Sequence, residues 1–137
     1  MKIKILLFAT LFAVCFFSCK KVIQQQEQNA VLNIITSGVW YVQTYTQDSI
    51  DITASFSGYV FKFNQNGTVI GTKDSVATPG TWSASISDRT ITSNFPNPPN
   101  PLNKLNSVWK ITDSGLSYVV ANATINDSTE NIRLQKQ

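Results

Sequence analysis

The chain has 137 residues, of which 42% are hydrophobic and 14% charged, and its formal net charge is +3. It contains no histidine, which excludes Ser-His-Asp and Cys-His catalysis and any imidazole ligand for zinc. It also lacks a glycine-rich phosphate loop and a basic patch for nucleic acid. We therefore expect neither an enzyme nor a protein with a cofactor, a metal site or a nucleic-acid partner.

The N-terminus carries a short basic segment followed by an apolar run. Lys2 and Lys4 precede Ile5–Phe17, which is apolar except for Thr10. This run is shorter than the roughly 20 residues that a helix needs to cross a bilayer. It is therefore predicted to be the apolar part of a signal peptide.

Both cysteines stand at the end of this run. Ser18, a small residue, precedes Cys19, whereas the branched Val14 precedes Cys15. Residues 16–21, Phe-Phe-Ser-Cys-Lys-Lys, closely resemble the lipobox of Bacteroidetes-type lipoproteins. The resemblance implies cleavage before Cys19 and acylation of its sulfur and of the new N-terminus with fatty acids such as palmitate. A plain signal-peptidase site is the alternative.

Three segments follow from this interpretation: a signal peptide (1–18), a lipidated cysteine with a polar tether (19–29), and a folded domain (30–137). Cleavage would remove Lys2 and Lys4 and leave nine basic and eight acidic residues. Basic residues, not acids, follow the cysteine. The resemblance therefore implies an outer-membrane lipoprotein facing the periplasm, and surface exposure stays open.

A short helix and eight strands are predicted in the domain. Apolar residues at helical spacing predict the helix over Ala30–Ser37. The strands are recognised by short runs of β-branched and aromatic residues between turn formers. They are Gly38–Thr46, Gly58–Asn64, Thr68–Lys73, Gly80–Ile86, Thr90–Asn94, Ser107–Thr112, Ser114–Asn122 and Ser128–Gln135.

Several of these strands alternate between apolar and polar residues. Tyr59, Phe61 and Phe63 are predicted to face inward, and so are Leu116, Tyr118 and Val120. Between the second and third strands, Asn64-Gln65-Asn66-Gly67 predicts a tight hairpin. The pattern indicates an all-β fold, a small antiparallel eight-stranded up-and-down barrel after a short helix. An open sandwich of the same strands is the main alternative.

The first strand opens with Gly38-Val39-Trp40, and Arg133 lies in the last strand. Lipocalins begin with Gly-x-Trp, whose tryptophan closes the barrel base beneath an arginine of the last strand. Together with the later Asn66-Gly67 and Gly80-Thr81-Trp82, this order resembles the lipocalin-like domain of small Bacteroidetes lipoproteins. The resemblance implies that Gly38, Trp40 and Arg133 close the barrel.

A barrel of eight strands either fills itself with side chains or holds one small ligand. If it holds a small hydrophobic or amphipathic molecule, the candidate contacts are Tyr59, Phe61, Trp109 and Tyr118. The alternative is a filled barrel that acts as a structural or interaction module, binds an envelope protein or glycan, or inhibits an envelope-attacking enzyme. A cavity of a few hundred Å³ would favour the first interpretation.

Two loop features complete the predictions. Residues 94–103 contain four of the five prolines and form either a rigid crossover or a recognition loop anchored by Phe95 and Leu102. Ser49, Ser75 and Ser128 each follow an aspartate in a pattern that resembles Bacteroidetes O-glycosylation acceptors. Most carboxylates, Glu130 among them, are expected at turns as solvated side chains.

Overall fold

The structure is a computed structural model that describes residue 23 and residues 25–137. The chain divides into two units between Asn33 and Ile34, and the second unit, Ile34–Gln137, contains all the strands. A helix, α1, occupies residues 25–36. It therefore begins earlier than the predicted Ala30, and the last residues of the predicted tether, 25–29, are helical.

Nine strands and two 3₁₀ segments follow α1. The strands are β1 (Val39–Gln47), β2 (Ile50–Asp51), β3 (Val60–Phe63), β4 (Thr68–Lys73), β5 (Val76–Ser85), β6 (Thr90–Asn94), β7 (Ser107–Ser114), β8 (Tyr118–Ile125) and β9 (Ser128–Lys136). The 3₁₀ segments are Thr53–Phe56 and Leu102–Leu105. The predicted bounds of β4 and β6 are correct, and the other predicted strands differ by a few residues at their ends.

The strands form a closed antiparallel barrel. Apart from the two-residue β2, each strand pairs with the next in sequence, and β1 also pairs with β9. This closing pair confirms the predicted eight-stranded up-and-down barrel and excludes the open sandwich. Closure removes the exposed sheet edges that would otherwise template aggregation.

Two-residue turns join three of the hairpins. Asp48-Ser49, Asp74-Ser75 and Asn126-Asp127 have positive φ at both residues. This backbone geometry matches the twist of a two-residue hairpin, and Asp and Asn tolerate it better than most residues. Gly67, with φ 83°, ends the predicted hairpin turn between β3 and β4, as its N–H donates to the Asn64 carbonyl.

The topology gives the barrel two different ends. The base carries residues 34–37 and the turns at 64–67, 86–89 and 115–117. The mouth carries the three two-residue turns, the 48–59 connection and a long connection at residues 95–106, which we call the mouth segment. The base and the mouth are therefore closed by different parts of the chain.

The inward faces of the first strands agree with the predicted alternation, and that of β8 does not. Tyr59, Phe61 and Phe63 are buried, as predicted. In β8, the buried residues are Val119, Ala121 and Ala123. The prediction that Leu116, Tyr118 and Val120 face inward is therefore wrong. Residues 115–117 form the turn, and β8 begins at Tyr118. The inward-facing residues of β8 are therefore the odd-numbered ones, one residue away from the predicted set.

Candidate functional site: a filled interior and a groove at the β1–β3 seam

The barrel interior contains a cavity of only about 50 Å³. Its walls are almost entirely apolar, and Phe61 and Trp109, two of the predicted ligand contacts, belong to them. Ligand pockets are typically about 300–1,000 Å³. The interior is therefore filled with side chains, and the expectation of a small molecule enclosed in the barrel is not supported.

The mouth segment fills the upper part of the interior. Phe95, Leu102 and Leu105 are buried. A Cβ on Gly80 would lie 2.7 Å from Phe95 Cδ1, so the phenyl ring packs directly on the glycine backbone. The prediction of a recognition loop anchored on a partner through Phe95 and Leu102 is wrong, because both side chains anchor the segment to its own barrel.

A polar cluster lies under the mouth segment. Tyr45 is fully buried and donates from its hydroxyl to the Lys104 carbonyl at 3.1 Å. The Lys104 ammonium donates to Gln47 Oε1 at 2.9 Å. Glu130 pairs with Gln47 across β1 and β9 and is 2% exposed. Its Oε2 atom has no hydrogen-bond partner among the described residues.

The burial of Glu130 corrects the prediction of a solvated side chain near a turn. Ser128 begins β9, so Glu130 is the third residue of the strand and faces the interior with Ile132. A buried carboxylate oxygen without a partner is costly. No local sequence feature predicts that Glu130 is buried, because it follows turn-forming and β-branched residues that would also suit an exposed hairpin.

Tyr45 is expected to make stability depend on pH in the alkaline range. Burial, followed by the charge of Glu130 and a hydrogen bond with it, raises the pKa of Tyr45 well above its usual value. Above pH 10 the unfolded state therefore binds fewer protons than the folded state, and stability falls as the pH rises. The slope is at most about 1.4 kcal/mol per pH unit for one group.

Chemical denaturation between pH 9 and 11 would measure this slope. The Tyr45→Phe variant should lose the part of the slope that Tyr45 contributes. It should also be about 1 kcal/mol less stable at pH 7, because the hydrogen bond to the Lys104 carbonyl is lost. Identical slopes in the two proteins would contradict the assignment.

Trp40 closes the base of the barrel, as the Gly-x-Trp resemblance implies. Its ring is 1% exposed and its Nε1 donates to the Ile35 carbonyl at 2.8 Å. The Lys136 ammonium lies 5.0 Å from the ring centroid and donates to the Ile34 carbonyl and the Ser37 hydroxyl.

The predicted pairing of Arg133 with Trp40 is wrong. Arg133 lies on the outer face of β9, 4.2 Å from the Tyr118 ring centroid, and donates to Gln43. Lys136 is the direct partner of Trp40 in the β1–β9 register. Gly38 leaves room for the Lys136 side chain over Trp40, because a Cβ at position 38 would lie 2.8 Å from Lys136 Cδ.

Replacing Lys136 is expected to destabilise the barrel more than replacing Arg133. Lys136→Ala should lower the free energy of unfolding by about 1–2 kcal/mol, since it removes two hydrogen bonds of a charged donor and a cation–π contact. Arg133→Ala, on the outer face, should cost about 0.5 kcal/mol. Urea denaturation measures both losses, and equal values would show that Lys136 has no special role in closure.

The four predicted ligand contacts do not converge on one site. Phe61 and Trp109 line the interior cavity, whereas Tyr118 lies outside the barrel, with its hydroxyl 3.2 Å from Asp113 Oδ2. Tyr59 lines a separate groove on the side of the barrel. The candidate binding site is therefore this groove.

The groove arises where β1 and β3 separate. Only Val39 and Trp40 of β1 pair with β3, and the register along β9 shifts between Val42 and Thr44. The chain reaches β3 through the 3₁₀ segment Thr53–Phe56, whose Phe56 stacks on Tyr45 of β1. The groove has a volume of about 350 Å³, which lies in the ligand range. Its lining residues are Tyr41, Val42, Thr53, Ala54, Phe56, Ser57, Gly58 and Tyr59.

Local interactions shape the groove. Thr53 replaces β3 as a partner of β1: its hydroxyl accepts the Tyr45 N–H at 2.8 Å. Hydrogen bonds from the Thr53 side chain and N–H hold the pKa of Asp51 below its usual range. Gly58, with φ 81°, turns the chain into β3, and the aliphatic part of Lys73 lies beside it.

Sequence reasoning identified Tyr59 but missed the rest of the groove. The available signal was the length of the connection between the first two predicted strands, which, like the connection at residues 95–106, is longer than the turns between the other predicted strands. Loops of such length often have a function of their own.

The three candidate glycosylation acceptors lie at the mouth. Ser49 and Ser75 are exposed in two-residue turns, and Ser128 is half-buried at the start of β9. The acceptor assignment stays a prediction, and the intact mass of the full-length protein would test it.

The predicted signal peptide, Cys19 and residues 20–22 and 24 of the tether lie outside the described residues. Within residue 23 and residues 25–137, no helix is long and apolar enough to cross a membrane. The same part of the chain contains no group of three or more acidic or cysteine side chains that could hold a metal ion.

These features define a small, closed, antiparallel β-barrel with a filled interior and a groove at a strand seam. The chain is similar to the crystal structure of a DUF4847 family protein from Bacteroides vulgatus ATCC 8482. The identity is 19% over 78% of this chain and 99% of that chain, with a TM-score of 0.56. At this identity the similarity shows the fold alone. No family model and no curated protein matches the chain.

Proposed function

We propose that this chain is a lipid-anchored, non-enzymatic binding module of the cell envelope. Its recognition site lies outside a filled barrel and serves an envelope protein or glycan. The observation that carries the proposal is the contrast between an interior cavity of about 50 Å³ and a side groove of about 350 Å³.

The proposed anchor rests on the sequence. Ser18 and Cys19 follow an apolar run that is too short to cross a bilayer. Several acyl chains on Cys19 would hold the protein stably on a membrane. We place it at the outer membrane, facing the periplasm, because Lys20 and Lys21 follow the cysteine.

The absence of catalysis is part of the proposal. The chain has no histidine, and acylation would consume Cys19, the only cysteine of the mature protein. Imidazole and thiol catalysis would then be impossible, and general acid–base catalysis would depend on carboxylates, lysines and tyrosines. Among these, Glu130 is enclosed in the barrel and is closed to a substrate.

The anchor is tested by metabolic labelling with a radioactive fatty acid. The matched variants are Cys19→Ala and Cys15→Ala, since both cysteines end the same apolar run. Cys19→Ala should abolish labelling and membrane retention, and Cys15→Ala should change neither. Labelling that survives Cys19→Ala would refute the anchor.

The filled barrel is tested on the unanchored Cys19→Ala protein with N-phenyl-1-naphthylamine, a neutral apolar fluorophore. We expect no saturable uptake and no small-molecule adduct in native mass spectra. One fluorophore bound per chain, displaced by a fatty acid, would instead identify an interior carrier.

A further inference from the structure

We propose that the groove at the β1–β3 seam binds an acidic sugar residue, a pyranose ring that bears a carboxylate, within a glycan. This inference rests on the proposed function, since it names the ligand class of the same groove. Three features of the groove carry it: hydroxyls and an ammonium group without hydrogen-bond partners in the described part of the chain, and an asymmetric distribution of charge.

The groove presents hydroxyl groups that the barrel does not use. The side chains of Tyr41, Ser57 and Tyr59 make no hydrogen bond within the described part of the chain, although Thr53 in the same groove is fully engaged. Tyr41 is half-buried and offers a ring surface on which the C–H face of a sugar can pack. A ligand with many hydroxyls matches these groups better than an apolar one does.

A cation without a hydrogen-bond acceptor in the described part of the chain lies beside the groove. The ammonium groups of Lys62, Lys104, Lys110 and Lys136 all donate hydrogen bonds within the barrel. The ammonium of Lys73 has no such acceptor among residues 25–137 and lies 5.3 Å from the Tyr59 ring centroid. Tyr59 lines the groove, so this cation is placed to meet an anionic group of the ligand.

The charges around the groove give the ligand an orientation. Asp51 is hydrogen-bonded to Thr53, whereas Lys73 lies beside Gly58 and Tyr59, and the lining residues themselves carry no charge. A carboxylate would therefore lie toward Lys73 and away from Asp51, whose oxygens can accept from ligand hydroxyls. A uronic acid has this arrangement, with a carboxylate on one side of its ring and hydroxyls on the other. An acidic peptide offers the carboxylate without the ring of hydroxyls.

Isothermal titration of the full-length protein in detergent micelles tests the proposal. The probes are trigalacturonate, the neutral galactotriose and a Gly-Glu-Gly tripeptide. We expect one trigalacturonate per chain, weaker binding of both other probes, and an affinity that falls as the salt concentration rises.

The decisive variant is Lys73→Gln, and Lys110→Gln is its control, because it makes the same charge change on β7. Lys73→Gln should weaken trigalacturonate binding about tenfold and remove most of its salt dependence. Lys110→Gln should leave the affinity within about twofold. Circular dichroism would confirm that both variants fold.

Equal binding of the neutral and acidic trisaccharides, or no effect of Lys73→Gln, would overturn the inference. Equally tight binding of Gly-Glu-Gly would overturn it in favour of an acidic peptide. None of these results affects the proposed function, which fails only if the interior takes up the apolar fluorophore or Cys19 is not acylated.

Discussion

Replacing Phe95 by alanine is expected to lower the free energy of unfolding by about 3–5 kcal/mol. The ring is 1% exposed and packs on the backbone of Gly80. Asn106 holds the segment in place: its Oδ1 accepts the Phe95 N–H at 2.7 Å, and its Nδ2 donates to the Phe95 carbonyl at 3.0 Å. Because this clamp keeps the backbone in position, the space of the lost ring should stay largely empty.

Urea denaturation measures this loss, and Leu116→Ala is the control. Leu116 is also a large apolar residue in a connection, but it is 77% exposed. Its replacement should change the stability by less than about 0.5 kcal/mol. If Phe95→Ala does not fold, Phe95→Leu should still cost about 1 kcal/mol. A loss below 1 kcal/mol for Phe95→Ala would mean that the mouth segment is not part of the core.

The same variant connects stability with function. A void left by Phe95 would lie between the mouth segment and an apolar interior, and such voids bind small apolar probes. We expect the alanine variant, but not the wild type, to bind xenon. The result would show that the mouth segment is what keeps the barrel from being a carrier.

Replacing Glu130 by methionine is expected to stabilise the protein by about 1–3 kcal/mol, whereas most substitutions destabilise. The carboxylate is 2% exposed and its Oε2 has no partner. Methionine has a similar length and brings no polar atom. The substitution removes the interaction of Glu130 with Tyr45, but the Tyr45 hydroxyl keeps its hydrogen bond to the Lys104 carbonyl and so stays paired.

Thermal and urea denaturation at pH 7 would measure the gain. Asp127→Asn removes an exposed carboxylate at the neighbouring turn and should change the stability by less than about 0.5 kcal/mol. Glu130→Ala is a second comparison, because it removes the charge but leaves a void and should gain less than methionine. A loss of stability in Glu130→Met would show that the carboxylate is well compensated in the folded barrel.

If the Glu130→Met substitution stabilises the protein, it also raises the question of what role the carboxylate has in the native barrel. Lys104 is linked to Glu130 through Gln47, which accepts a hydrogen bond from the Lys104 ammonium and is the cross-strand partner of Glu130. A double-mutant cycle with Lys104→Met would measure the coupling between the two charges. A large coupling energy would show that the charge of Glu130 helps to hold the mouth segment in one position.

Much of the fold could be predicted from local patterns. The alternation of Tyr59, Phe61 and Phe63 and the Asn64–Gly67 turn gave the β3–β4 hairpin its correct phase. Gly38 and Trp40 were placed correctly at the base. These features depend on neighbours in the sequence, and elementary stereochemistry constrains them: side chains alternate with a period of two, and Gly67 accepts positive φ.

The candidate site could be predicted only in part. Tyr59 was identified as an aromatic residue in a strand, but its position in the groove depends on where β1 leaves β3. Lys73 carries no local mark at all. Its proposed role rests on the lack of a hydrogen-bond acceptor for its ammonium among residues 25–137 and on its position over the Tyr59 ring, and both are properties of the assembled barrel.

The sequence by itself determined the class of fold, the number of barrel strands, the base tryptophan and the catalytic chemistries that are impossible. Only the tertiary structure decided that Lys136 and not Arg133 covers Trp40, that Tyr118 faces outward, and that Glu130 is buried. The physical reason is that alternation is local, whereas its phase and the register between strands are set by distant partners. A slip of one residue moves every side chain of a strand to the other face.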